Sequence, residues 1–455
     1  MSTTTTIELV SQGQQEAQSP VQPFGPSTEE AIVQQKQKWN EPPINRWRLL
    51  ATFISFTVVG ANDGVYGALV PYLREDYNLS TTVVSLIFVT PFAGYTIATL
   101  IVNKIHMTLG QRGIAIIGPL CHIIPYVIMA IHPPWPAMLA VYVIVGLGNG
   151  LIDAAWNSWI ADMANANAMM GVLQAFYGLG ATISPLVGTQ MIKSGLRWNY
   201  FYYTLLGASV LDLMASSALF WKENAASYRA KNHRGTDTGG GSRTTEAMKS
   251  PITWLIAVWL FVYMGVEVSV GGWVVDFMVQ VRHGEPYESG LIPTGFWAGV
   301  TVGRLVLGFV NDWLGMFPLP LSRPDYIDTD CSQGERIAIS IYLVISIALE
   351  LIFWLVPQFI VSAVAVSLLG FFTGPLFPAA IVVAAKLLPK HLHTPGIGLA
   401  SALAGGGGAI LPFVAGAISG ARGVQSLQPF VLALLIALIA IWVLLPRRKH
   451  HAYGV

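Results

Sequence analysis

The sequence predicts an all-α membrane protein: twelve transmembrane helices in two pseudo-symmetric six-helix bundles, with both termini cytosolic. Three observations predict it. Of 455 residues, 53% are hydrophobic and only 11% charged, with a mean hydropathy of +0.56, whereas soluble domains carry about 25% charged residues. Twelve apolar segments reach the roughly 20 residues that a helix needs to cross the hydrocarbon core. The last six of these segments echo the first six in their glycines, prolines and acids.

Residues 1–45 are rich in Thr, Gln, Ser and Pro without an apolar signal segment, so a disordered cytosolic tail is expected there. In the first bundle (46–221) the spans fall at roughly 48–73, 81–103, 114–132, 136–160, 168–192 and 200–221. Residues 222–250, with Arg229, Lys231, Arg234, Arg243 and the run Gly239-Gly240-Gly241, have the pattern of a flexible basic linker. The second bundle (251–446) has spans at roughly 251–278, 289–311, 337–356, 358–386, 394–418 and 427–446, and residues 447–455 form a second cytosolic tail. Orientation follows from the cations. Of the 25 Lys and Arg, 19 fall in the tails and the loops on their side, and Arg304 lies inside a span. The sequon Asn78-Leu79-Ser80 faces the other side but abuts the second span, too close to the membrane for modification to be expected.

A formal net charge of +1 excludes a nucleic-acid partner held by bulk electrostatics. Cys121 and Cys331 are far apart and build neither a disulfide framework nor a metal site. No HExxH, GxSxG or paired-cysteine pattern is present, so neither an enzyme nor a cofactor is expected.

The informative residues are the acids inside the spans. A carboxylate at bilayer depth costs about 2.5–3.5 kcal/mol even on the lenient insertion scale, so it belongs to a protein-lined or watery interior. Asp63 lies in Gly60-Ala61-Asn62-Asp63-Gly64 and Asp153 in Gly150-Leu151-Ile152-Asp153, and burial favours the neutral form of such a group. Glu267 in span 7 is the counterpart of Asp63, and Arg304 in span 8 is its natural charge partner. The halves also share Gly178-x-Gly180 with Pro185 against Gly405-x-Gly407 with Pro412, and Gly146-x-x-x-Gly150 against Gly370-x-x-x-Gly374. Two related six-span halves with a solute site between them are what alternating access requires.

On these residues the chain resembles the major facilitator superfamily, and within it the fucose:proton symporter-like branch and its fungal members. Asp153-Ala154-Ala155-Trp156-Asn157 resembles the branch's acid-x-x-x-Asn signature, which implies that Asp153 couples protons. The stretch from Leu173 to Gly180 resembles its sugar-contacting helix. Gly303-Arg304 with Gly308-x-x-x-Asp312 resembles the loop 8–9 gating motif of the superfamily. Loop 2–3 keeps Gly110 and Arg112 of the matching motif but lacks its aspartate. Gly308, Asp312 and Arg112 are therefore the expected gating residues.

Asp153, Asp63, Glu267 and Arg304 are the expected proton-coupling set, with Asn62, Asn157, Gln174, Tyr177 and Trp273 as solute contacts. Each has a static alternative. Asp153 and Asp63 can serve as hydrogen-bonded packing, Glu267 and Arg304 as a structural pair, and the aromatics as ordinary helix packing. Asp212, Glu350 and His122 are expected to be structural. The expected function is proton-coupled symport of a small polar, sugar-like solute. The alternatives are a metabolite exporter on the same fold and, given short tails, much less a transporter-like sensor. A monomer in the plasma membrane is expected, with a vacuolar or other internal membrane as the alternative.

Overall fold

The computed structural model describes residues 37–164, 166–232, 240–316, 331–389 and 392–446. Among them, twelve helices are long and apolar enough to cross a membrane. They are α1 (Ile44–Asp76), α2 (Thr81–Leu109), α3 (Gln111–Ala130), α4 (Trp135–Ala161), α5 (Ala168–Lys193) and α6 (Trp198–Phe220) in the first half. The second half holds α7 (Pro251–Gln280), α8 (Pro286–Leu307), α9 (Arg336–Leu355), α10 (Phe359–Leu387), α11 (Gly396–Arg422) and α12 (Val424–Leu444). Each expected span has its helix, with ends displaced by a few residues. The tail expected over residues 1–45 lies outside the described residues as far as residue 36, and that over 447–455 lies wholly outside them.

The helices pair alike in both halves: α1 with α5, α2 with α4 and α3 with α6, then α7 with α11, α8 with α10 and α9 with α12. Glycine sets the closest approaches. A methyl at Gly180 would lie 2.1 Å from the Thr57 carbonyl oxygen, and one at Gly407 would lie 1.9 Å from that of Phe261. Gly146 meets the Pro91 carbonyl and Gly370 that of Phe296 in the same manner. The repeat in the sequence is thus a repeat of backbone contacts, because only a residue without Cβ admits a neighbouring helix at that distance.

In α1, 72% of the most apolar window is buried and in α7 67%, against 28% in α6, so the first helix of each half is central and α6 is peripheral. The halves meet through α1 with α7, α2 with α11 and α5 with α8. Three polar contacts across this seam lie on the face away from the termini. Arg74 grips both carboxylate oxygens of Asp276 at 2.8 and 2.9 Å, Thr189 donates to the Gly290 carbonyl at 3.1 Å, and Tyr287 donates to Gln190 at 3.0 Å.

The linker differs from the flexible chain expected, because its described parts are helical: Ala225–Asn232 and Gly240–Lys249. The first is docked. Its Tyr228 stacks on His106 at 4.8 Å, Arg229 donates to the Met107 carbonyl, and Arg112 donates its backbone N–H to the Glu223 carbonyl. Gly110 makes the join possible, with φ of +75° and no room for a Cβ beside the Asn224 backbone.

Candidate functional site

Asp63 sits mid-way along α1, half-buried, on the side facing α4 and α5. One of its oxygens accepts from Asn62 Nδ2 at 3.0 Å and from Asn149 Nδ2 at 3.4 Å, the other from the Tyr177 hydroxyl at 3.1 Å. Asn62 Nδ2 also reaches the Tyr66 hydroxyl at 2.7 Å. The crossing of α1 over α5 fixes this geometry. At Gly60 a Cβ would strike the Tyr177 carbonyl oxygen at 1.9 Å, so the glycine brings the Tyr177 backbone, and with it the phenol, to the neighbouring acid.

Asp153 on α4 is also half-buried. It accepts from Asn157 Nδ2 at 2.7 Å, one turn along the same helix, and from the Tyr95 hydroxyl on α2. Asn149, Asp153 and Asn157 follow each other at intervals of four and share one face of α4. The donors to both acids are neutral amides and phenols. Two amide oxygens beside them, Asn62 Oδ1 and Asn157 Oδ1, are buried without a hydrogen-bond partner among the described residues. Buried acceptors of this kind ordinarily find a donor.

The second half is built differently. Glu267 on α7 is 2% exposed and takes Arg304 of α8 at 2.9 and 3.2 Å. The Tyr263 hydroxyl donates to the same carboxylate, and Arg304 Nε donates to the Gly374 carbonyl at 3.3 Å. An arginine at this depth needs an acid, and Glu267 supplies it.

Among the expected solute contacts, Asn62, Asn157 and Tyr177 cluster at the two acids. Gln174 is half-buried one turn before Tyr177. Trp273 lies elsewhere, in the closed seam beside Phe88, with its indole N–H donated to the Pro412 carbonyl at 2.9 Å. Its donor is spent on helix packing. Of the gating residues, Gly308 and Asp312 fall in the helix Ile292–Met316, at positions whose side chains lie outside the described residues. Arg112 stacks its guanidinium over Trp221 at 5.1 Å. Where the aspartate of loop 2–3 is missing, a different buried ion pair closes that corner: Arg48 with Glu223 at 2.9 Å.

Asp212 accepts from Ser55 and Ser216 at 2.6 and 2.8 Å, joining α1 to α6 as a packing contact. Glu350 is fully buried on α9 and, among the described residues, neither carboxylate oxygen has a partner. Sequence reasoning overlooked Tyr95, Asn149 and Tyr263. The four-residue spacing before Asp153 could have revealed Asn149; Tyr95 and Tyr263 gave no signal beyond being aromatic.

Twelve helices in two matching halves, with two acids inside the first half that meet no cation among the described residues, define a membrane carrier. The chain belongs to the Major Facilitator Superfamily, whose profile matches residues 51–323 and 332–454. It is 28% identical to the Saccharomyces cerevisiae protein "Bypass of stop codon protein 6", over 90% of this chain and 85% of that one. It is 23% identical to the Bacillus subtilis glucose/mannose transporter GlcP, over 82% and 88%. Among solved structures it resembles an inward-facing, unoccupied bacterial homolog of the human lysosomal transporter Spinster, with a TM-score of 0.66 and 14% identity over 89% and 95% of the two chains. The nucleoside transporter NupG matches with a TM-score of 0.67 and 12% identity over 88% and 100%. The protein is therefore an integral multi-pass transporter and not an enzyme.

Proposed function

We propose that this transporter couples proton entry to uptake of a small, neutral, hydroxyl-rich solute, a monosaccharide or close relative, by alternating access. The observation that carries the reading is a pair of half-buried carboxylates, Asp63 and Asp153, ringed by neutral donors and flanked by two unsatisfied amide oxygens. A carboxylate without a cationic partner can change charge by taking a proton. Solute hydroxyls supply donors that Asn62 Oδ1 and Asn157 Oδ1 lack. The cation on the facing half, Arg304, is already neutralised by Glu267, so little in the site favours an anionic solute. The sugar transporters among its relatives fit this reading.

With the termini in the cytosol, the Arg74–Asp276 seam closes the outer face, and the acids discharge inward. Protonation of Asp153 from outside favours the loaded carrier, and release inside resets it. The protein acts as a monomer, in the plasma membrane. The test uses purified protein in liposomes, with labelled glucose and an imposed proton gradient. Wild type is expected to accumulate glucose when the outside is acidic, and Asp153→Asn to lose accumulation while retaining exchange. Equal accumulation by both proteins overturns the proposal. If stabilisation screening of other monosaccharides shows a better probe, it replaces glucose in the same assay.

A further inference from the structure

We infer that His122 is a positioning residue for the carrier site, acting on Asp63 through Asn149. The inference deepens the proton-coupling reading and rests on it.

An amide has one accepting end and one donating end, and an ionised carboxylate only accepts. Asn149 therefore turns its NH2 toward Asp63, 3.4 Å away, and its oxygen toward α3. There it meets His122 Nε2 at 2.8 Å. Both contacts are hydrogen bonds at once only if His122 carries a proton on Nε2 and donates. Turning the amide over would set its oxygen against a carboxylate oxygen. The imidazole thus selects which end of Asn149 faces the acid. His122 is fully buried and Asn149 is 6% exposed, so water does not compete for either group.

Packing holds the imidazole in place. It stacks on Tyr126, with centroids 5.7 Å apart and planes 19° from parallel. Its other wall is α4 at Gly148, where a Cβ would come 2.9 Å from Nε2, Cδ2 and the Cys121 Cβ. A larger residue at 148 would push the ring off its partner. Three consecutive positions of α4, Gly148, Asn149 and Gly150, therefore serve one purpose, close contact with α3 and α2 around a single amide.

The functional consequence concerns the charge on Asp63. The Asn149 donor stabilises the ionised carboxylate, so anything that disorients the amide favours protonation of Asp63 at higher pH. The titratable groups that surround Asp63 are Asp153 on α4, Tyr177 on α5, Tyr95 on α2, Tyr126 and His122 on α3, and Tyr66 on its own helix. His122 reaches it only through Asn149.

The test is a double-mutant cycle on glucose accumulation in liposomes, read as a function of outside pH. His122→Phe keeps the ring and removes the donor, and His122→Gln keeps a donor. Unfolding in detergent verifies each protein, and His122→Leu, which also lacks a donor, takes the place of Phe should Phe fail to fold. His122→Phe is expected to shift the pH midpoint upward and to lower accumulation about tenfold, the upper end of what one buried hydrogen bond is worth. His122→Gln restores most of the wild-type profile. In the Asn149→Leu background His122→Phe has no further effect. An unshifted midpoint in His122→Phe, or an equal effect with and without Asn149, overturns this inference alone. Wild-type protein without any pH-dependent accumulation overturns the proton-coupling reading and this inference together.

Discussion

The two halves of this transporter share a backbone plan and carry opposite charge solutions at matching points. The 205 residues separating Pro91 from Phe296, which make the same glycine contact in their halves, also carry Thr99 to Arg304. The 224 residues between Gly146 and Gly370 carry Asp153 to Phe377. Asp63 and Glu267 stand at equivalent places, as do Thr57 and Phe261 in the glycine contacts one turn and more before them. So Asp63 and Asp153 meet no cation among the described residues, whereas Glu267 is locked to Arg304. The difference shows that equal depth does not mean equal role. An acid held by neutral donors can gain or lose a proton at modest cost, whereas a buried acid bound to an arginine cannot leave it without stranding an unpaired charge.

Breaking the locked pair should have the largest effect on the folded protein. Arg304→Leu is expected to cost about 3–5 kcal/mol by stranding Glu267, and adding Glu267→Gln should restore most of that loss. Chemical unfolding in detergent measures both. Recovery absent from the double variant would mean that Arg304 matters through the Gly374 carbonyl instead. The same measurement on Asp63→Asn and Asp153→Asn should move stability by no more than about 1 kcal/mol, while accumulation collapses.

Tyr95→Phe sharpens the comparison at intermediate scale. Loss of one donor to Asp153 disfavours its charged form, so the transport profile is expected to shift toward alkaline pH by roughly one unit, since about 1.4 kcal/mol corresponds to one unit. Tyr263→Phe, the equivalent loss at Glu267, should leave the profile where it is because Arg304 still fixes the charge. Equal shifts in both variants would erase the distinction between the halves.

The smallest effect concerns the seam. Arg74 is partly exposed while Asp276 is buried, and Gln280 still donates to that carboxylate at 2.7 Å when the arginine is removed, so Arg74→Ala is expected to change transport only a few-fold. Cysteine pairs placed across this end of the seam should then show a larger share of the open form, and an unchanged share would exclude a latch function for this pair.

Much of the fold was legible in the residues because lipid leaves the chain little choice: every apolar stretch of sufficient length must become a helix. The candidate site was legible in part. Asp63, Asp153, Asn157 and Tyr177 came from depth and motif, and the structure gathers them. Trp273, an expected solute contact, gives its N–H to the Pro412 carbonyl instead, since an indole announces neither its partner nor its direction. Asn149 was overlooked among glycines, though it lies four residues before Asp153.

The amino-acid string by itself determined twelve helices, two halves and the acids buried among them, since hydropathy and repeat spacing are properties of the chain alone. Only the tertiary structure decided which acid meets a cation, which meets an amide and which, like Glu350, meets no partner. Those outcomes depend on side chains from helices far apart in sequence, brought to between 2.9 and 3.4 Å by glycine-lined crossings whose partners no local pattern specifies.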